Sequence, residues 1–338
     1  MPSNISAAGT QTMPRSSKLV RAVIVTSALT AAAAVQAAPP PINVLPWNGH
    51  KAAISLTFDD GDPSQWETAL PALDARHLKA TFFLICNNLP NKDVWVKAGQ
   101  EGHEIGNHTM THSHPKDFTA KQIADETDNA RNLLQTEIAP NVVTFAYPFT
   151  EITPELKEAV RTSHIAARGG GGASYYMRPS DTPDWFNIPS QATMTATPID
   201  VYDTWIDTTE SQGAWSVFMI HAIEGSTWYQ PVPTKTFYAL LDRLKDDKRL
   251  WVAPFGSVCA YWQAEKVLEA VVASNRGNVY TYAWTVPPHF PKGVTLQVRL
   301  DGAHKPRLKQ SGRLLKPNAD GAYLLSFDAG EVEVTTSS

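Results

Sequence analysis

From residue 52 to residue 273 strand-like and helix-like stretches alternate, and this alternation restricts the fold more than any other feature of the chain. Ile54, Leu56 and Phe58 alternate with Ser55 and Thr57, a strand pattern that stops at Asp59. Trp66, Leu70 and Leu73 recur at helical spacing, and residues 80–85 form an apolar, Phe-rich run that reads as a buried strand. Thr119 and Gln122 make a capping box for a helix with Ile123, Ala130, Leu133 and Leu134 on one side. Strand patterns over 142–147, 165–168, 215–221 and 250–253 then interleave with helical ones over 154–162, 234–245 and 257–273. Such a succession predicts parallel strands joined by crossover helices. Functional residues of those folds gather at the C-terminal ends of the strands, where Asp59, Asp60 and His221 fall.

The flanks differ in character. Beyond Asn275 the stretches 279–284, 294–300, 323–327 and 332–335 are strand-like, with turn signals at Asp301-Gly302 and Asp320-Gly321. Residues 275–338 read as a small β appendage without a chemical motif of its own, serving structural support. At the other end, Arg15, Lys18 and Arg21 precede an uncharged, Ala-rich run over 22–35 that is short for a bilayer span, followed by Val35-Gln36-Ala37. This predicts a signal peptide over 1–37 cut after Ala37, with an uncleaved anchor as the alternative. Pro39-Pro40-Pro41 opens an expected linker, 38–51, before the main domain, 52–274. An exported protein, periplasmic or secreted and without stable membrane insertion after signal removal, follows. Cys86 and Cys259 are expected to be buried free thiols rather than a disulfide. A net charge of −4 with scattered Lys and Arg argues against a nucleic-acid partner.

The chemistry-bearing residues are few. His108 and His112, four apart, can point to one metal, with a carboxylate from elsewhere as third ligand and a coordination position left open. Asp59 beside Asp60 at a strand end is costly to bury without a cation or an Arg, since like charges repel at that distance. A metal resolves the conflict for one of them and leaves the other free as a base. His221 ends the apolar run 217–220 on the same expected rim and is a candidate general acid.

Five segments in order give the chain a family resemblance. Thr57-Phe58-Asp59-Asp60-Gly61, His108-Thr109-Met110-Thr111-His112, Phe145-Ala146-Tyr147-Pro148-Phe149, Asp181-Thr182-Pro183-Asp184-Trp185 and Phe218-Met219-Ile220-His221 resemble the motifs of the NodB-type polysaccharide deacetylases, carbohydrate esterase family 4. The resemblance covers about residues 52–264. It implies an α/β fold, a distorted (β/α) barrel of NodB type here followed by the small β appendage, and a metal-dependent N- or O-deacetylase of an acetylated glycan. It also implies roles. Asp60, His108 and His112 would hold the divalent metal, zinc first, with cobalt, nickel or iron(II) also suited to that donor set. Asp59 would be the base and His221 would protonate the leaving group. Asp184 would hold or tune His221, the backbone N–H of Phe149 would bind the oxyanion, and Trp185 and Tyr147 would face substrate.

One departure stands out. Many members of that family carry an Arg in the third motif that pairs with the base; here the position is Ala146. Arg168, at a strand end before the run 169–172, is the candidate replacement, with Arg178 a weaker one. Two rival readings are an amidohydrolase acting on a small amide and a non-catalytic glycan-binding protein, the latter supported only by the missing Arg. Neither the glycan nor the oligomeric state follows from the sequence.

Overall fold

The computed structural model describes residues 41–87, 89–170, 174–301 and 306–336. The expected signal peptide and the first residues of the expected linker lie outside them. Among the described residues no helix is long and apolar enough to cross a membrane.

A short strand, β1 (Ile42–Val44), precedes the long β2 (Ala52–Asp60). A helical turn, Gln65–Ala69, runs into α1 (Leu70–Asp74), followed by β3 (Thr81–Leu84), α2 (Lys92–Gln100) and β4 (Glu104–Asn107). The next helix comes in three parts: α3 (Ala120–Ala124), a π-helical turn (Asp125–Asn129) and α4 (Ala130–Glu137). Then come β5 (Thr144–Ala146), α5 (Pro154–Ser163), β6 (Ala166–Arg168), β7 (Gln191–Ala192), α6 (Ile199–Ser211) and β8 (Trp215–Ile220). Two short strands, β9 (Ala222–Ile223) and β10 (Pro231–Val232), bracket a loop ahead of α7 (Thr234–Lys245), β11 (Leu250–Val252) and α8 (Phe255–Glu269).

These strands form one sheet in the order β6-β5-β4-β3-β2-β8-β7, with β11 against the first half of β2. Every pairing in it is parallel. The sheet curls until its ends nearly meet: β7 pairs with β8, and Ile188, three residues earlier, bridges Arg168 of β6. The result is a distorted α/β barrel, as the alternation and the resemblance lead one to expect. Parallel strands covered on both sides leave no solvent face. The polar positions of β2 are accordingly satisfied inside, Ser55 Oγ donating to the Ala253 carbonyl (2.8 Å) and Thr57 Oγ1 to that of Phe218 (3.0 Å). On the other face Ile54, Leu56 and Phe58 pack in one core with Leu73, Phe82, Trp95, Phe218 and Phe237.

The capping box at Thr119 and Gln122 is present. Cys86 and Cys259 are both buried and unbridged, and burial pushes the Cys86 thiol up to about 12. The C-terminal region is an antiparallel pair of sheets. One has the order β12 (Ser274–Arg276), β13 (Val279–Ala283), β18 (Glu331–Thr335), β15 (Arg307–Gln310), β16 (Arg313–Leu314). The other is β1, β14 (Thr295–Leu300), β17 (Tyr323–Ser326). Its third strand is β1, drawn from the stretch read as linker: Val44 pairs with Val298, and Trp47 is buried with its ring 5.3 Å from that of Trp262. Three residues are too few to display a period, and their partner lies some 250 residues away, so this strand has no local signature.

Candidate metal centre

The C-terminal end of β2 delivers Asp59 and Asp60 side by side. Asp60 leaves the strand with φ 78°, a left-handed conformation that aspartate tolerates better than most residues, and Gly61 continues it at 73°. The loop after β4 delivers the imidazoles. His108 is buried and its Nδ1 lies 2.8 Å from the Ala146 carbonyl. Donation to that carbonyl fixes the tautomer and turns the Nε2 lone pair inward. The loop then turns through Thr109 (φ 70°) and His112 (φ 57°). A β-branched residue at positive φ is strained, and here the strain is held by hydrogen bonds: Asn107 Oδ1 accepts from the Thr109 N–H and Thr109 Oγ1 accepts from the His112 N–H, both at 2.9 Å.

On its outer side the same loop rests on Glu126. This buried carboxylate accepts from the N–H groups of Met110 and Thr111, each at 2.8 Å, and from the Thr111 hydroxyl. Glu126 sits in the π-helical turn between α3 and α4, a local irregularity of the kind common near functional sites. No sequence motif marks it.

Inside the rim, Asp60 Oδ1 lies 3.3 Å from Nε2 of His108 and 3.3 Å from Nε2 of His112. One ligand atom from each of the three residues falls within 4.8 Å of the others. Asp60 Oδ2 is engaged separately, by the indole N–H of Trp228 at 2.7 Å. Asp60 Oδ1 is buried without a hydrogen-bond partner among the described residues. A buried orphan oxygen facing two imidazole nitrogens, one of fixed tautomer, fits a divalent cation of the zinc type. Burial works against ionisation of Asp60, but the neighbouring His108 and the hydrogen bond from Trp228 outweigh it and hold its carboxyl well below the usual carboxylate range. Burial likewise opposes charge on His108, yet Asp59 and Asp60 raise its pKa; His112 is lowered, by burial first and by His108 second.

Asp59 is treated differently. Arg168, wholly buried at the end of β6, donates from Nη2 to Asp59 Oδ2 and from Nη1 to Ser190 Oγ (3.2 Å), with its Cζ 5.5 Å from the Phe83 ring centroid. In the pairing of β5 with β6, Arg168 stands directly opposite Ala146. The guanidinium therefore comes from the neighbouring strand at the same register, into space that the small Ala146 side chain leaves. Arg178 pairs with Asp181 at the surface instead. Asp59 Oδ1 is left buried and without a hydrogen-bond partner among the described residues. His221 completes the rim, with Nε2 3.9 Å from Asp59 Oδ2 and its ring 4.9 Å from that of Tyr229. Burial lowers its pKa. Gln65, fully buried, ties the two strand ends together by donating to the carbonyls of Asp59 and His221.

Three expectations need correction. Asp184 does not serve His221: it pairs with Lys157 and caps the Phe186 N–H at 3.2 Å, while His221 Nδ1 has no hydrogen-bond partner among the described residues. Trp185 packs edge-on against Trp262, ring centroids 5.1 Å apart, partly buried against the core, and its carbonyl accepts from the Ala167 N–H. Tyr147 is buried and its hydroxyl donates to the Phe186 carbonyl at 3.1 Å. Ala146 and Tyr147 alternate across the end of β5, so once the Ala146 carbonyl and side chain line the site, Tyr147 points away from it. Phe149 does sit at the rim, 48% exposed in a left-handed turn, its ring 4.5 Å from His112 and stacked at 3.8 Å on the exposed His114.

Fold and rim together define an α/β-barrel protein with a three-residue ligand set suited to a divalent cation. Residues 48–166, the stretch that holds Asp59, Asp60, His108 and His112, match the family model for polysaccharide deacetylase. A gellan lyase from a Bacillus species is 24% identical over 283 residues, 74% of this chain but 11% of the lyase. A peptidoglycan-N-acetylglucosamine deacetylase from Bacillus cereus is 29% identical over 141 residues, 41% of this chain and 50% of the relative. The chain thus spans no more than about half the length of these relatives. Among solved structures, a candidate polysaccharide deacetylase from Mycobacterium smegmatis aligns with a TM-score of 0.55 at 14% identity, over 68% of this chain and 96% of the other. At that identity the likeness bears on the fold alone.

Proposed function

We propose that this protein is an exported, metal-dependent deacetylase that hydrolyses acetyl groups on a glycan and releases acetate. The observation that carries the reading is the unequal treatment of two adjacent carboxylates. Asp59 is charge-compensated by Arg168 and keeps one oxygen free, whereas Asp60 turns an unpartnered oxygen to two imidazole nitrogens. A site for one base and one cation requires that division.

Asp60, His108 and His112 would hold the metal, zinc first, which when bound supplies Lewis acidity at the acetyl carbonyl and acidifies a water. Asp59 takes the proton of the attacking water on Oδ1, while Arg168 fixes the carboxylate through Oδ2. The backbone N–H of Phe149 donates to the oxygen that gains charge as the carbonyl carbon becomes tetrahedral. His221 delivers a proton to the leaving nitrogen or oxygen, so the acetyl–heteroatom bond breaks to acetate and a neutral amine or alcohol. The contact of Arg168 with Asp59 weighs against a non-catalytic glycan-binding reading, which rests on the missing Arg.

The name of the Bacillus cereus relative makes N-acetylglucosamine units of peptidoglycan the first substrates to try. Acetate release should be measured on N-acetylated chito-oligomers, peptidoglycan and acetylated xylan, with and without chelator. The reading expects release that stops on chelation and returns with added divalent metal. Release from none of them, or release indifferent to chelation, would sink it.

A further inference from the structure

The loop between β9 and β10 carries two large aromatic residues in the open, Trp228 (49% exposed) and Tyr229 (56% exposed). Yet this loop is fastened from several sides. Asp62, two residues beyond Asp60, accepts from Ser226 Oγ at 2.9 Å; Ser226 Oγ in turn accepts from the Trp228 N–H at 2.9 Å. Ser64 Oγ also donates to Asp62 and accepts from the Ile223 N–H at 2.8 Å. At the far end Gln230 Oε1 accepts from the Thr195 N–H at 3.0 Å. The stretch 59–64 therefore supplies the base, the metal-facing carboxylate and the anchors of the strap that crosses in front of them.

The strap reaches the metal-facing carboxylate through the Trp228 indole N–H, on Asp60 Oδ2 at 2.7 Å. A carboxylate ligand can offer one oxygen or two, and it can rotate about its last bond. With Oδ2 engaged by the indole, only Oδ1 faces the imidazoles, and the carboxylate plane is fixed. The Trp228 side chain is otherwise half exposed beside the rim, and flat aromatic surface of this kind takes the apolar face of a pyranose ring.

We propose that Trp228 is a positioning residue that holds Asp60 in a one-oxygen presentation to the metal, and that its exposed ring seats a pyranose unit of the substrate. Strap, metal ligand and sugar seat then act as one unit. The sugar-seat part rests on the deacetylase reading above; the metal part does not.

The test separates the donor from the ring. Trp228→Phe removes the N–H and keeps an aromatic face; Trp228→benzothienylalanine removes only the N–H and preserves size and shape; Trp228→Ala removes both. Zinc dissociation constants, measured on the metal-free proteins by competition with a chromophoric chelator, are expected to rise about 10- to 100-fold in all three, the range found for lost partners of metal ligands. Melting temperatures of the metal-free proteins should stay together, because the side chain is half exposed. If Trp228→Phe melts early, the isosteric replacement decides. A dissociation constant within twofold of the parent for the benzothienylalanine protein overturns the positioning role. With metal saturating, KM for an acetylated oligosaccharide should rise at least fivefold in Trp228→Ala and less than twofold in the benzothienylalanine protein; equal KM values in Trp228→Ala and the parent overturn the sugar seat. If the parent releases acetate from no glycan, the deacetylase reading and the sugar seat that rests on it fall, while the zinc measurement still judges Trp228.

Discussion

Two buried carboxylates grip the loop 108–112 from opposite sides, and they are finished in opposite ways. Glu126 on the outer side accepts three hydrogen bonds from Met110 and Thr111. Asp60 on the inner side keeps a buried oxygen without a hydrogen-bond partner among the described residues, 3.3 Å from two imidazole nitrogens. A saturated buried carboxylate is stabilising, because each donor it satisfies would otherwise be stranded. An unsaturated one is a liability that persists only where something else is to bind. Side by side they contrast a flank of the loop that is saturated with hydrogen bonds and a flank that offers an oxygen and two imidazole nitrogens to a cation.

Substitutions can break or sharpen that contrast. The largest effect is expected on the inner flank. Asp59→Asn should lower turnover by about 10²–10⁴, the range for loss of a general base, with metal content unchanged in elemental analysis; full activity would refute the assigned base. Arg168→Met comes next. It strands Asp59 in the barrel, and breaking such a buried pair costs about 3–5 kcal/mol, read by denaturant unfolding of the metal-free protein. Turnover should fall strongly with metal retained, whereas unchanged turnover would remove Arg168 as the stand-in at Ala146. On the outer flank, Glu126→Ala should cost about 3 kcal/mol, since three donors lose their acceptor at about 1–3 kcal/mol each and the backbone ones are partly rehydrated. Unlike Asp59→Asn, it should act on stability first and on turnover only as the His loop loosens. Asp184→Asn should do least. Its partner is Lys157 near the surface, a pair worth about 0–1 kcal/mol, so kcat within twofold of the parent is expected; a hundredfold loss would restore Asp184 to the site.

What could be read from the sequence follows the same line. The strand ending in Asp59 and Asp60, the spacing of His108 and His112, and His221 at the end of an apolar run are local patterns, and the parallel barrel brings those ends to one rim. Arg168 could be suspected from the gap at Ala146, but its reach to Asp59 depends on the register of β5 with β6, which no local pattern encodes. Asp184, Trp185 and Tyr147 depart from what the motif implies because a motif gives order along the chain and not the direction a side chain faces; strand alternation turns Tyr147 outward, and Trp185 packs partly buried against the core. Glu126, Gln65 and Trp228 act through hydrogen bonds to backbone or to residues far along the chain, and such contacts leave no period or spacing to find. The strand Ile42–Val44 escaped notice for the same reason, since its partner is β14.

The central claim is that Asp60, His108 and His112 are the inner, unfinished half of this loop and await one divalent cation. The most direct test is zinc titration of the metal-free protein by calorimetry, alongside Asp59→Asn and Asp60→Asn. One zinc per chain is predicted for the parent and for Asp59→Asn, with binding lost in Asp60→Asn. One equivalent bound by Asp60→Asn with parental affinity would contradict it.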